Sequence, residues 1–345
     1  MNQQTLESIL TRLPGAAIGV VGDLFLDRYL DIDASLTEPS IETGLDAYQV
    51  VAVRSYPGAA GTVLNNLSAL GVGEIWPITV IGDDGEGYEL RASLSKLAGV
   101  RANAVFSCGS RRTPTYTKPM LCESNKPTRE LNRLDIKNRS VLPAEFESKI
   151  LHVLEERWSR LDALLVVDQV SEPECGVVTA RVREKLAQLG QAAPAKVILA
   201  DSRVRIGLFR SVWLKPNQTE CVRAVAGDSA NVQGCAIELA RRCGRPVFCT
   251  RSENGILVVD PRQEPPKVAT VPAAKVAGPI DSVGAGDSTS AALACALAAG
   301  ASLEDAAQLG NLVASITIQQ LGTTGTASPD QVRHAARVRY SEPRG

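Results

Sequence analysis

A chain of 345 residues, 44% hydrophobic and 22% charged, is long enough for one large α/β domain with an attached substructure. Its formal charge of −1 gives no electrostatic footprint for nucleic acid or for an anionic membrane, so neither is expected as a partner. Two histidines, His152 and His334, leave little room for Ser-His, Cys-His or His-metal chemistry, and carboxylates and backbone amides must carry any reaction.

Apolar runs and helical patterns then alternate along the chain. Residues 17–21 read as a first strand, and 31–56 as a polar, Thr/Ser-rich stretch with β-leaning alternation. A helix is expected over 62–70, a strand over 75–81 and a helix over 85–97. A second polar stretch with no helical stripe, 105–133, follows. Next come a helix at 144–160, a strand at 163–167, a helix at 175–189 and strands at 196–200 and 212–214. Helices at 218–224 and 231–243, strands at 246–250 and 255–259, and helices at 288–299 and 302–320 complete the series. Continuously apolar strands separated by helices define a three-layer α/β/α sandwich with a mostly parallel central sheet, over 1–345 as one domain. The stretches 31–56 and 105–133 read either as a small β lid over a site or as two surface hairpins. Eight cysteines without a CxxC pair read as reduced thiols, Cys175 and Cys295 as packing residues. With no leader-like segment and no apolar run of roughly 18 residues, a soluble cytoplasmic protein is expected.

The segment IDSVGAGDSTSAALACALAAG at 280–300 joins a glycine turn to a small-residue helix. At such a start, unpaired N–H groups and the helix dipole favour negative charge, so Gly284, Ala285 and Gly286 can cradle a phosphoryl group. Asp287 beside them is either an ordinary helix cap or a base that takes a proton from an attacking hydroxyl. Asn217 and Glu220 in KPNQTE stand three residues apart, on one helical face toward a ligand or as a capping box, with Lys215 adding charge. Asn254-Gly255 fits a hairpin turn.

Taken in order, VVGD, PGAAGTVLNNLSALG, VIGDDGEG, NQTE, TRSENG and DSVGAGDS resemble the ribokinase-like, or PfkB, carbohydrate kinases over about residues 15–326. LFLDRY, RTPTYTK, NRLD and the run after Asp287 are most similar to the heptose-7-phosphate kinase branch, the kinase half of bifunctional heptose enzymes. The resemblance implies transfer of a phosphoryl group from ATP, with Mg²⁺, to a hydroxyl of a sugar or sugar phosphate, and a homodimer paired through its β lid. It makes Asp287 the base and the amides of Ala285 and Gly286 the anion hole. It places Glu220 at the metal, and Thr250, Glu253 and Gly255 beside the nucleotide with Asn311. Asp281 is matched to a monovalent-cation site, K⁺ for example. On the acceptor side, Asp23 and Asp27 at the carboxyl end of the first strand suit sugar hydroxyls, though Asp after a strand is also a common turn residue. Gly58, Thr62 and Asn66 fall in the glycine-helix segment, and Arg112, Lys118 and Arg133 are cations that either meet a substrate phosphate or face solvent.

The chain departs from the family where Thr62 stands at the aligned Asn position, and where DQVSEPECG at 168–176 replaces a DYxKG-like loop. A changed acceptor is the expected consequence. A nucleoside or fructose-phosphate kinase and a catalytically silent sugar- or nucleotide-binding sensor remain as alternative readings.

Overall fold

In the computed structural model, which describes residues 1–341, the strands in chain order are β1 (Ala17–Gly22), β2 (Leu24–Asp33), β3 (Glu38–Pro39), β4 (Asp46–Ala47), β5 (Val50–Ala59), β6 (Glu74–Gly82), β7 (Ala104–Cys108), β8 (Thr115–Cys122), β9 (Arg129–Glu130), β10 (Leu134–Ile136), β11 (Ala163–Asp168), β12 (Val197–Ser202), β13 (Trp213–Leu214), β14 (Val247–Thr250), β15 (Ile256–Asp260) and β16 (Lys267–Val271). The helices are α1 (Gln3–Arg12), α2 (Ala60–Ala69), α3 (Gly85–Leu94), α4 (Ala144–Trp158), α5 (Ala180–Ala192), α6 (Gln218–Val225), α7 (Val232–Cys243), α8 (Ala285–Ala298), α9 (Leu303–Thr317) and α10 (Pro329–Ser341).

The central sheet has the order β16-β15-β14-β13-β12-β11-β1-β6-β7. It is parallel from β14 through to β7, with β15 and β16 antiparallel at the other edge. Strands such as β11 (ALLVVD) are buried at every position because helices cover both faces. One apolar layer joins the sheet to α1, α2, α3, α8, α9 and α10 through residues such as Leu6, Leu67, Leu90, Ala294, Leu309 and Val332. The other joins it to α4, α5, α6 and α7 through Ile150, Leu186, Cys221 and Leu239. These are the three layers expected from the alternating pattern.

A second sheet, ordered β10-β8-β2-β5 with β9 on β8, projects from the first. Strand β2 runs antiparallel to β5 and parallel to β8. Ion pairs fasten this lid to the body: Arg28 on β2 meets Glu86 and Glu89 of α3 at 3.3 and 2.5 Å, and Ser55 on β5 donates to Glu89 at 2.7 Å.

The lid differs from its expected limits at both segments. It begins at Leu24 and ends at Ala59, because β2 leaves β1 across the single residue Asp23 and pairs along its length with β5. Residues 104–108 are not lid at all. Their run AVFSC is buried at three of five positions and pairs with β6 as the edge of the central sheet. The helix expected from Cys175 starts at Ala180, because Thr179 caps it and the preceding Val177 N–H is taken by Asp23. Helices α1 and α10 and edge strand β16 were not expected from the sequence; α1 buries only Leu6, Ile9 and Leu10.

Candidate active site

Parallel strands deliver their last residues to one edge of the sheet, and that edge collects the polar groups. Asp23 follows β1, Asp168 ends β11, Asp201 and Ser202 end β12, Lys215 follows β13, and Thr250 ends β14. The amino end of α8 points into the same edge. Its cap is Gly284, at φ 79° and ψ 0°, a left-handed conformation that glycine adopts without penalty. The turn is walled by methyl groups: a Cβ on Gly284 would lie 3.3 Å from Cγ2 of both Thr62 and Thr324.

Because Gly284 is the cap, Asp287 is the third helical residue and the cap reading of its carboxylate falls away. The expected pair of amides shifts by one residue. Ala285 N–H turns back to the Ser282 carbonyl at 3.2 Å, whereas the Gly286 and Asp287 amides have no acceptor among the described residues. Burial first, and the Asp201 carboxylate next, push the Asp287 carboxyl up to about 7, against the opposing pull of Lys215 and Arg203.

Lys215 is 3% exposed and its Nζ lies 2.9 Å from Asp201 Oδ2, which also accepts from Ser290 Oγ of α8 at 3.2 Å. Burial pushes this ammonium down, but Asp201, Glu220 and Asp287 together hold it above the usual lysine range. The ammonium reaches the helix start: a Cβ on Gly286 would sit 3.6 Å from it. Asn217 and Glu220 form a complete capping box on α6, the Asn217 N–H donating to Glu220 Oε2 and the Glu220 N–H to Asn217 Oδ1, each at 2.8 Å. The box spends one Glu220 oxygen and leaves the other without a hydrogen bond among the described residues. Burial and Asp201 raise the Glu220 carboxyl above its ordinary range.

On the acceptor side the two aspartates separate. Asp23, expected to bind hydroxyls, instead spends both oxygens on the backbone, accepting from Gln169 and Val170 at 2.9 Å and from Val177 at 2.7 Å. Asp27 keeps a partly open carboxylate 3.7 Å from Lys118 Nζ, with Gly58 pressed so close that a Cβ there would meet Asp27 Oδ2 at 2.5 Å. Burial raises the Asp27 carboxyl, Lys118 opposing, and Asp27 in turn adds to the upward push on Asp287. Lys118 donates to Tyr29 Oη at 3.0 Å and lies over that ring.

Other acceptor-side candidates already have partners within the chain. Asn66 is fully buried, its amide donating to the Thr62 and Gly325 carbonyls. Arg112, 59% exposed, is paired with Asp84 and Glu86 at the start of α3. Arg133 is paired with Asp135 at 2.6 Å and lies over the Tyr116 ring. Thr62 is buried against the Gly284 turn.

A cavity between lid and body is lined by Phe25, Tyr116, Lys137, Gln169, Glu172 and Arg203, among others. Sequence reasoning missed Arg203, Lys137 and the Asp201–Lys215 pair. A signal for Asp201 was present in ILADS, an acidic residue closing an apolar strand. Nothing local marked Arg203 or Lys137.

On the remaining side, Thr250 N–H donates to the Pro216 carbonyl at 2.9 Å, and Glu253 is exposed in the hairpin turn between β14 and β15. What approaches Gly255 closely is the chain itself: at φ 75°, its missing Cβ would lie 2.1 Å from the Val271 carbonyl. Asn311 donates at 3.0 Å to the Val271 and Pro272 carbonyls, tying α9 to the end of β16. Asp281 accepts from the Val283 and Gly322 amides and so fixes the loop ahead of α8.

A helix start with free amides, a carboxyl raised toward neutrality and a buried cation, all at the carboxyl edge of an α/β/α sandwich, together define a phosphotransferase that acts on an alcohol group. The chain belongs to the pfkB family of carbohydrate kinases, whose family model matches residues 24–331. It is a sugar kinase. Among curated proteins, the bifunctional protein HldE of Pelobacter propionicus is 31% identical over 350 residues, covering 99% of this chain and 67% of that protein. HldE of Trichlorobacter lovleyi is 29% identical over 348 residues with the same coverage. The chain thus spans about two thirds of the length of these relatives, in keeping with the likeness to the heptose-kinase branch. Among solved structures, a ribokinase of Arabidopsis thaliana complexed with ribose and ATP superposes with a TM-score of 0.67 at 16% identity, over 93% of this chain and 99% of that one. Phosphofructokinase-2 of Escherichia coli in complex with potassium gives 0.68 at 20% identity, over 94% and 98%. These two show the shared fold. No helix among the described residues is long and apolar enough to cross a membrane.

Proposed function

We propose that this protein transfers the γ-phosphoryl group of ATP to a hydroxyl of a sugar or sugar phosphate, with Asp287 as the general base. The supporting observation is the position of Asp287: third residue of α8, next to the free Gly286 and Asp287 amides, with its carboxyl raised to about 7. The acceptor hydroxyl, held near Asp27, gives its proton to Asp287 as its oxygen bonds to the γ-phosphorus and the bond to the β-phosphate oxygen breaks, releasing ADP. The two amides, with Lys215 behind them, stabilise charge on the moving group.

The donor set fits Mg²⁺ held chiefly by phosphate oxygens and water, because no three His, Cys, Asp or Glu side chains converge among the described residues. Glu220, through the oxygen its capping box leaves over, would hold that hydration shell. The ion supplies charge neutralisation. Asp281 orders the loop on which a monovalent cation would act, and comparing rates in K⁺ and in a bulky organic cation tests that role.

A coupled ADP-release assay over free sugars, sugar phosphates and heptose phosphates tests the reading. Acceptor-dependent turnover is expected, and Asp287→Asn should lower kcat about a thousandfold with the ATP KM little changed. Full turnover in the Asn variant would remove Asp287 as base; ADP release indifferent to every acceptor would remove the transferase reading.

A further inference from the structure

We infer that Asp23 is a positioning residue that sets the acceptor wall of the site by stapling both ends of the 168–177 loop to the root of the lid. This rests on the proposed function, in which the sugar lies between lid and body.

Burying a carboxylate is costly unless charge-assisted hydrogen bonds replace its water. Asp23 is 3% exposed, and it is satisfied wholly by one loop: Gln169 and Val170 N–H on Oδ2 and Val177 N–H on Oδ1. The first two amides directly follow β11 and the third closes the excursion, so one side chain holds the start and the finish. The loop's carbonyls face the opposite charge. Arg205 binds the Val170 carbonyl and, at 3.1 Å, that of Ser171, while pairing with Asp168 at 2.5 Å; Arg111 binds the Cys175 carbonyl. Amides turned to a carboxylate and carbonyls turned to guanidinium groups fix the loop's orientation as well as its place.

Gln169 through Glu172 of this loop line the cavity together with Tyr116 and Arg203. Arg203 is tied to the same loop by its N–H on the Asp168 carbonyl at 3.1 Å, and its charge acts on Asp287. Asp23 also leads directly into β2, which carries Asp27 four residues on. The staple therefore fixes acceptor strand and acceptor wall relative to each other. Space is tight around it: a Cβ on Gly176 would lie 2.8 Å from Asp23 Oδ1 and 3.0 Å from Val170 Cβ.

Two variants test the staple by different routes. Asp23→Asn removes one acceptor oxygen, and Gly176→Ala crowds the Val177 bond while leaving the carboxylate in place. Each is assayed with ribose, fructose 6-phosphate and a heptose 7-phosphate as acceptor probes, alongside hydrogen–deuterium exchange. The acceptor KM should rise about tenfold in both, with the ATP KM unchanged, and exchange should quicken in peptides covering 168–178 but not in β12. Folded variants with an unaltered acceptor KM would overturn the inference, as would a raised KM without faster exchange in the loop, or equal losses for acceptor and ATP. Failure of the wild-type chain to phosphorylate any probe would instead overturn the proposed function, and the positioning role with it.

Discussion

As the proposed base, Asp287 must be deprotonated to accept a proton, so a carboxyl held at about 7 places its titration inside the working range. kcat/KM for the acceptor should climb as pH rises through about 7 and level off above, a limb that Asp287→Asn loses; a pH profile measures both. The same shift bears on stability. Between its unfolded value, near 4, and about 7, the folded chain binds more protons at this position than the unfolded one, so its contribution to stability falls as pH rises through that window. Asp287→Asn should accordingly be more stable than wild type at pH 8, by roughly 1–3 kcal/mol, and equal to it near pH 4, as read by urea unfolding.

At the scale of elements, the site is held by one buried pair linking β12, the end of β13 and α8. Lys215, Asp201 and Ser290 come from three different elements, and the pair is nearly dry at 3% and 7% exposure. Breaking such a pair leaves an uncompensated buried charge. Lys215→Met should destabilise by about 3 kcal/mol, and adding Asp201→Asn should recover much of that loss in thermal unfolding, although neither variant restores turnover. The capping box on α6 does two things at once: it pairs the Asn217 and Glu220 amides, and the same local pairing holds a half-buried carboxylate near Asp201 and Lys215. That double use is why the sequence left the two readings open.

For the whole molecule, the projecting sheet leaves an edge. Strand β5 is terminal in its sheet, and Val50, Val51 and Val53 on it are exposed, as are Ile41 and Leu45 between β3 and β4. An exposed apolar edge strand is a ready template for another chain, as the pairing of lids implied by the family resemblance would require. Val53→Lys should shift the protein from dimer to monomer in sedimentation velocity; a wild-type chain that sediments as a monomer at high concentration would remove the pairing.

Period and composition alone determined the layered sheet, the alternation of its main strands and helices along the chain, and the small-residue helix α8, because continuous apolar runs and helical stripes are local signals of burial. They also placed Asp287 at the glycine turn that opens α8, since a glycine that tolerates a positive φ and a carboxylate three residues later lie within one short segment. Four elements escaped: the largely polar helices α1 and α10, the edge strand β16, and β7, whose neighbours in sequence are polar. Only tertiary structure separated Asp23 from Asp27. Four residues apart and alike in type, they differ because one reaches the amides of a loop some 150 residues away, as the Asp23–Val177 separation of 154 shows, and the other does not. The same holds for Lys215 with Asp201, for Arg203 and for the buried Asn66. Hydrogen bonds and desolvation are decided by which distant groups the sheet brings to its carboxyl edge, and no local pattern carries that information.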